Sequence, residues 1–264
     1  MTMCLEDARV VSQEPVPGGY YRLRLYAPTV SPQVRPGQFV HVRLPAPADA
    51  LLRRPFSVYR TDGPDLVILY KPVGRGTRAM TELCPGMRLN LLGPLGNGFP
   101  RPSVDHIPLL VAGGYGMAAL YLLARESPVR GVVLVGGATS QDILCVPEFE
   151  QLGWEVRIAT EDGSLGHRGI VTDLLDAWGT SPQSSKPPEL FACGPNGMLQ
   201  AVAERAIRND WTAWLSMDRA MCCGVGACWT CVQKVRDPAS PDGWAWVRIC
   251  REGPVLEARQ VVWE

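Results

Sequence analysis

The stretch MCCGVGACWTC, residues 221–231, sets Cys222, Cys223, Cys228 and Cys231 within eleven positions, with Gly224 and Gly226 between them. Thiols this dense either oxidise to disulfides or hold a metal. The chain opens on MTMCLEDARV, which has no basic region followed by an apolar core and does not read as a secretory leader. A reducing, cytoplasmic setting is therefore the expectation. There, cysteines read as metal ligands or free thiols before disulfides.

The spacing narrows the metal. Cys223-x4-Cys228-x2-Cys231 is the three-ligand run of a plant-type [2Fe–2S] site, whose fourth thiolate comes from further along. Cys250, in VRICREGPV (247–255), is the candidate for that fourth place. The cluster's sulfurs carry negative charge, so a loop around it must approach closely and turn its N–H groups inward. Gly224, Gly226 and Ala227 permit this, since glycine accepts positive φ and leaves room. Structural zinc is the alternative. It also takes four thiolates, and Cys228-x2-Cys231 alone would suit it, but zinc ribbons pair two CxxC knuckles and Cys250 has no near partner. Cys222 reads as a spare thiol, and Cys4, Cys84 and Cys145 as small buried hydrophobes.

Around this stretch lies a chain of 264 residues, long enough for two domains and a small third. Its 26 basic and 26 acidic side chains cancel, which argues against a nucleic-acid partner held by charge. No apolar run is long enough to span a bilayer. The first part, 1–102, holds β-rich runs: YYRLRLYAP, GQFVHVRLP, FSVYR, LVILYKPV and MRLNLLGP. Turn signals separate them, which predicts an antiparallel barrel. TRAMTELC (77–84) is the one short helix expected there. From 103 to 216, strand-like runs alternate with helical ones. IPLLVAGG (107–114) leads into MAALYLLAR, and GVVLVGGA (131–138) precedes PEFEQL. VRIAT (156–160) comes before IVTDLLDAW, ELFACGP (189–195) before GMLQAVAERAI, and WTAWLSM closes the series. That alternation predicts a parallel sheet covered by helices, with SPQSSKPP (181–188) as a surface loop. The remainder, 217–264, is too small for a core of its own and needs a cofactor as a staple.

A cluster passes one electron at a time, and something must feed it. Arg54-Pro55-Phe56-Ser57 resembles the R-x-[YF]-[ST] signature of ferredoxin-reductase-type flavoproteins. Arginine's planar fork suits a pyrophosphate; read blandly, the segment is a strand with exposed arginines. Leu69, Tyr70 and Lys71 follow at a strand end, and Gly74, Gly76 and Thr77 open a helix whose N–H groups suit an anion. Gly114-x-Gly116-x-x-Ala119 fits a glycine-rich strand-to-helix turn for a dinucleotide phosphate, though the acidic residue expected about twenty positions on is missing. Cys193-Gly194-Pro195 resembles the CGP turn of the same flavoproteins. Each glycine turn can also be mere close packing of strand on helix.

PGQFVHV, LLRRPFSV, ILYK, GPLGNGFP, VAGGYGMAAL, CGPNGML and DRAMCCGVGACWTC occur in order over nearly the whole length. Together they are similar to the electron-transfer subunit family of dihydroorotate dehydrogenase B. The resemblance implies an FAD-binding barrel, an NAD-binding α/β domain and a C-terminal [2Fe–2S] domain. Carried over by position, Arg54, Pro55, Phe56, Ser57, Leu69, Tyr70, Lys71, Gly76 and Thr77 would hold FAD. Gly114, Gly116, Cys193 and Gly194 would serve the NAD side, and Cys223, Cys228, Cys231 and Cys250 the cluster. Cys222 and Phe56 depart from the family's usual small and aliphatic residues. The resemblance also implies a catalytic partner carrying FMN, in a heterotetramer of two subunits of each kind, with electrons passing from dihydroorotate through the cluster and FAD to NAD⁺.

No residue here reads as a base for oxidising dihydroorotate, and His41, His106 and His167 read as surface or core residues. Trp229, Trp244, Trp246 and Met221 fit either a docking face or a small local core. Three other functions stay open. One is a same-fold NAD(P)H-linked sulfide dehydrogenase or ferredoxin reductase subunit. The others are a stand-alone NADH oxidase and a zinc-binding interaction protein.

Overall fold

The computed structural model describes residues 3–44, 51–180 and 186–263, so most of the expected loop at 181–188 lies outside the described residues. In chain order the first part gives β1 (Cys4–Val16), β2 (Tyr20–Tyr26), β3 (Phe39–Val42), β4 (Arg54–Asp62), β5 (Asp65–Tyr70), α1 (Arg75–Ala79) and β6 (Arg88–Leu95). The six strands close an antiparallel barrel in the order β1-β2-β5-β4-β3-β6. Alternation turns Leu23, Leu25, Val40, Val42, Val58, Leu66, Ile68, Leu89 and Leu91 into the barrel core. The expected helix at 77–84 appears as α1 followed by a 3-10 turn, Met80–Glu82.

Strand β1 escaped the periodicity for a visible reason. Its first half carries Glu6, Asp7 and Arg9 and sends only Ala8 and Val10 inward, and a bulge between Val10 and Ser12 then shifts its phase.

The next part runs β7 (Ile107–Gly113), α2 (Gly116–Glu126), β8 (Val132–Gly137), α3 (Val146–Gln151), β9 (Glu155–Thr160), β10 (His167–Arg168), α4 (Val171–Thr180), β11 (Pro188–Cys193), α5 (Asn196–Arg208) and β12 (Thr212–Ser216). The inner strands β7, β8 and β11 are near-continuous apolar runs because both faces are covered. Leu109 and Val111 face a core with Leu175 of α4 and Leu199 of α5. Leu110 and Ala112 face another with Leu120 of α2 and Trp154. Both cores reach the barrel, through Phe39 and Leu95 on one face and Tyr20, Tyr59 and Phe99 on the other. Arg22–Glu148 at 2.7 Å and Arg125 Nη1 donating to the Thr61 carbonyl at 2.6 Å tie the two bodies together.

The last part holds β13 (Val232–Arg236), β14 (Trp244–Arg248) and β15 (Val255–Glu257). The first two form an antiparallel hairpin, and β15 returns to pair antiparallel with β12. The large sheet therefore has the order β10-β9-β8-β7-β11-β12-β15. A boundary at 216/217 consequently cuts through a pair of neighbouring strands. A three-residue strand carries too little pattern to be read in advance. Cys231, Ile249 and Cys250 are buried in the same core as Leu215 and Phe39, so this segment borrows its core from the sheet and barrel.

Candidate functional site

A cavity of about 660 Å³ opens between β4, the end of β5 and α1 on the barrel side, and the C-terminal ends of β11 and β12 with the β7–α2 turn on the other. That is the size of small-molecule sites, and strand C-termini are where open α/β sheets take ligands. Every sequence candidate for FAD and NAD lines it except Gly114.

On the barrel side, β4 presents Arg54, Pro55, Phe56 and Ser57, held by pairing of Phe39 with Ser57 and His41 with Pro55. The Arg54 guanidinium is exposed and donates to the carbonyls of Leu52 and Arg53 at 2.9 and 3.2 Å. Tyr70 closes the far side. Its ring meets Phe56 edge-on at 6.0 Å, and its hydroxyl donates to Gln13 Oε1 at 3.0 Å. Burial pushes its phenol up, so it stays protonated. Lys71 Nζ sits 4.6 Å from the centre of the Tyr20 ring and 3.5 Å from Asp142 Oδ1. The Gly74 N–H donates to Thr77 Oγ1 at 3.0 Å, which fixes the turn into α1.

On the sheet side, a Cβ at Gly116 would come within 2.1 Å of the Cys193 carbonyl oxygen. Glycine is needed there for α2 to start against the end of β11, so close packing accounts for Gly116. Burial pushes the Cys193 thiol up to about 12, so it remains a neutral thiol lining the cavity. Phe39, Tyr115, Ser216, Asp218, Met221 and Pro254 also line the cavity, and sequence reasoning did not assign them to it. A signal existed for Tyr115, inside the glycine turn, and for Ser216 and Asp218, at and just after the end of β12.

The segment from Met217 to Cys231 has no regular secondary structure. Positive φ at Gly224 (72°), Gly226 (84°) and Trp229 (54°) coils it. The N–H groups of Val225, Ala227 and Cys228 point at Cys223 Sγ at 3.5, 3.3 and 3.4 Å. The Cys250 N–H points at Cys231 Sγ at 3.4 Å, and Thr230 Oγ1 lies 3.2 Å from Cys228 Sγ. Arg248 pins the loop by donating to the Gly226 carbonyl at 2.8 Å and pairing with Glu252.

The four cysteines fall into two pairs. Cys223 and Cys228 are linked in the loop; Cys231 and Cys250 lie side by side in the core. The Thr230 hydroxyl and the Cys223 contacts draw the exposed Cys228 thiol down to about 6, whereas burial and the neighbouring Cys231 push Cys250 up to about 12. Among the described residues, no group of three or more His, Cys, Asp or Glu side chains is gathered for a single metal ion. Cys222 sits beside Cys228 with its thiol raised by burial and is half-buried.

Comparison with known proteins places this arrangement. Residues 218–262 match the model of the iron–sulfur cluster binding domain of dihydroorotate dehydrogenase B. The chain is 40% identical to the dihydroorotate dehydrogenase B (NAD(+)), electron transfer subunit of Geobacillus kaustophilus, covering 97% of this chain and 98% of that one. The chain belongs to that family. The corresponding subunit of Desulforamulus reducens is 36% identical, with 98% of each chain covered. Among solved structures, an NADH-dependent reduced ferredoxin-NADP oxidoreductase superposes with a TM-score of 0.83 at 26% identity, over 97% of this chain and 90% of that one. The ferredoxin reductase of carbazole 1,9a-dioxygenase shares the fold over 80% of this chain, with a TM-score of 0.67 at 21% identity and 67% of that chain covered. Family and fold thus agree with what the ordered motifs imply: a ferredoxin-reductase-like barrel and sheet carrying a C-terminal iron–sulfur segment. No helix among the described residues is long and apolar enough to cross a membrane.

Proposed function

We propose that this chain is the electron-transfer subunit of a dihydroorotate dehydrogenase B, carrying FAD in the cavity and a [2Fe–2S] cluster on Cys223, Cys228, Cys231 and Cys250. One observation carries the relay. Met221, two residues before the first thiol, and Pro254, four after the last, both line the cavity, so the two sites share a wall.

The residues fit both groups. At the cysteines, four backbone N–H groups are already turned toward sulfur, as negatively charged thiolates require. Two pairs of thiols match two irons with two protein ligands each, whereas zinc needs four donors converging on one point. In the cavity, the Arg54 cation stands at the rim for a diphosphate. Phe56, Tyr70 and Ser57 offer an aromatic and hydrogen-bonding wall for a ring. Gly116, Cys193 and Gly194 present backbone where the sheet's strands end, the side from which a nicotinamide would come.

When bound, the flavin exchanges hydride with NAD and single electrons with an iron–sulfur cluster, and the protein supplies placement and tuning. The chain's own part is to hold these groups close, exclude water with Phe39, Met221 and Pro254, and keep Cys193 protonated and unreactive. Oxidation of dihydroorotate itself falls to a partner catalytic subunit carrying FMN, with two subunits of each kind in the assembly. Trp229, in the cysteine loop, and Trp246, on β14, remain 53% and 42% exposed, which favours a docking face over a local core. A cytoplasmic complex follows from this chemistry.

The test is dihydroorotate-dependent NAD⁺ reduction by the chain co-purified anaerobically with its FMN-containing partner. Turnover is expected. A complex loaded with flavin and iron that reacts with NADH but ignores dihydroorotate would move the function to a reductase of the same fold with another electron partner.

A further inference from the structure

His41 carries a role that the relay alone does not give it. It lies on β3, the strand paired with the Arg54–Ser57 segment of β4, two residues from the cavity-lining Phe39. Val40 and Val42 point into the barrel core, so His41 faces the other way, out of the barrel. Yet it is 0% exposed, because the cysteine loop covers it. A Cβ built on Gly224 would stand 2.4 Å from His41 Nδ1 and 2.9 Å from Cε1. The loop backbone at Gly224 therefore rests directly on the imidazole, with Nδ1 toward it.

Both ring nitrogens are buried and neither makes a hydrogen bond of full geometry, although the Cys223 and Arg53 backbones lie close to the ring. Buried imidazoles are normally paired, and an orphan of this kind marks a group awaiting a partner or serving one nearby. A neutral imidazole has one N–H to give. The carbonyls of Cys223 and Arg53 are the backbone acceptors close to it. The Arg53 side chain already donates to the His41 carbonyl at 3.3 Å and to the Asn90 carbonyl at 2.9 Å, which fixes β3 beneath the ring.

We propose that His41 is the barrel's positioning residue for the cluster: its ring N–H holds the Cys223–Gly224 peptide and so fixes the turn that aims the N–H groups of Val225, Ala227 and Cys228 at Cys223 Sγ. The strand that walls the flavin cavity would thus set the environment of the first cluster thiolate. Hydrogen bonds to cluster sulfurs raise the reduction potential by stabilising the more negative reduced state. Loosening them lowers it. This inference rests on the four cysteines holding a [2Fe–2S] cluster. If the wild-type chain purified anaerobically contains no iron and sulfide, that reading fails, and the inference fails with it for a separate and visible reason.

The test uses the FAD- and cluster-loaded chain as wild type, His41→Leu and His41→Asn; asparagine places an amide N–H near the position of Nδ1. Each is measured for FAD and iron content, for the EPR spectrum of the reduced cluster, and for the cluster's potential by redox titration. The expectation for His41→Leu is normal FAD content, an altered EPR spectrum, and a ratio of reduced to oxidised cluster about tenfold lower at fixed poise, a shift of about 59 mV for a one-electron couple. His41→Asn should recover most of both. An unchanged potential and spectrum in His41→Leu would overturn the proposal. Equal shifts in the two variants would do the same, since that points to ring volume and not to a donor. If His41→Leu fails to load the cluster, His41→Asn decides. Loading with a wild-type spectrum and potential supports the donor role; failure to load, or a shifted potential, overturns it.

Discussion

The flavin-side cavity and the cysteine loop are built by opposite means. The cavity is assembled from the ends of regular elements. Strands β4 and β5, the β7–α2 turn and the ends of β11 and β12 each rest on a large core and would hold their shape empty. The loop has no hydrogen-bonded ladder between Met217 and Cys231. It depends on a few N–H···S contacts, on Arg248, and on two buried cysteines that only metal can keep together as thiolates. A scaffold of strands can present a preformed site for a group that comes and goes. A charged cluster must be wrapped, and the wrapping and the cluster then stabilise each other.

That contrast breaks most openly at Cys250. Cys250→Ser should leave no iron–sulfur absorbance and reduce dihydroorotate-dependent NAD⁺ reduction in the complex to background, while the FAD spectrum and content persist. Loss of FAD as well would show that the cavity also depends on the cluster. Arg54→Ala is the reciprocal cut. Removing a charge-assisted contact costs about 1.5–3 kcal/mol, so FAD should bind about 10- to 150-fold more weakly with iron content unchanged. Equilibrium dialysis against FAD reads this directly.

Trp229→Glu probes the loop's outward face. Truncating an interfacial aromatic anchor commonly costs about 2 kcal/mol or more, so partner affinity should fall about 30-fold or more by sedimentation while cluster absorbance stays intact. Loss of the cluster would instead make Trp229 part of the loop's own packing. The smallest effect is expected at Gly224→Ala. Its φ of 72° disfavours any side chain by about 1–2 kcal/mol, and the new methyl group would press on His41. Iron content should drop partway and the first thermal transition should come earlier, with FAD affinity unaltered.

The same contrast governs what could be read from the chain. The parallel sheet was legible because strands buried on both faces leave unbroken apolar runs, as in IPLLVAG. The barrel was legible in five of its strands and not in β1, where charges and a bulge mask the alternation. The cysteine run was visible by its spacing, and the structure sets its members in two pairs. Cavity residues in short motifs were legible too, and the structure gathers them in one place apart from Gly114, which stands aside with φ 53°. Distant contributions had no local signal. Pro254 reaches the cavity, and β15 joins the large sheet, because the chain folds back after Cys250; no window of residues contains that return. His41 looked like any core histidine, and only the loop lying on it marks it out.

The central claim, that one chain joins a flavin to a cluster for delivery to NAD⁺, has one direct measurement. The loaded chain is reduced anaerobically, mixed with NAD⁺, and freeze-quenched through a single turnover while NADH absorbance and the EPR signal of the reduced cluster are followed. The account predicts that the cluster signal decays as NADH forms, and that the extra NADH is missing in Cys250→Ser. NADH formed while the cluster stays reduced would contradict it.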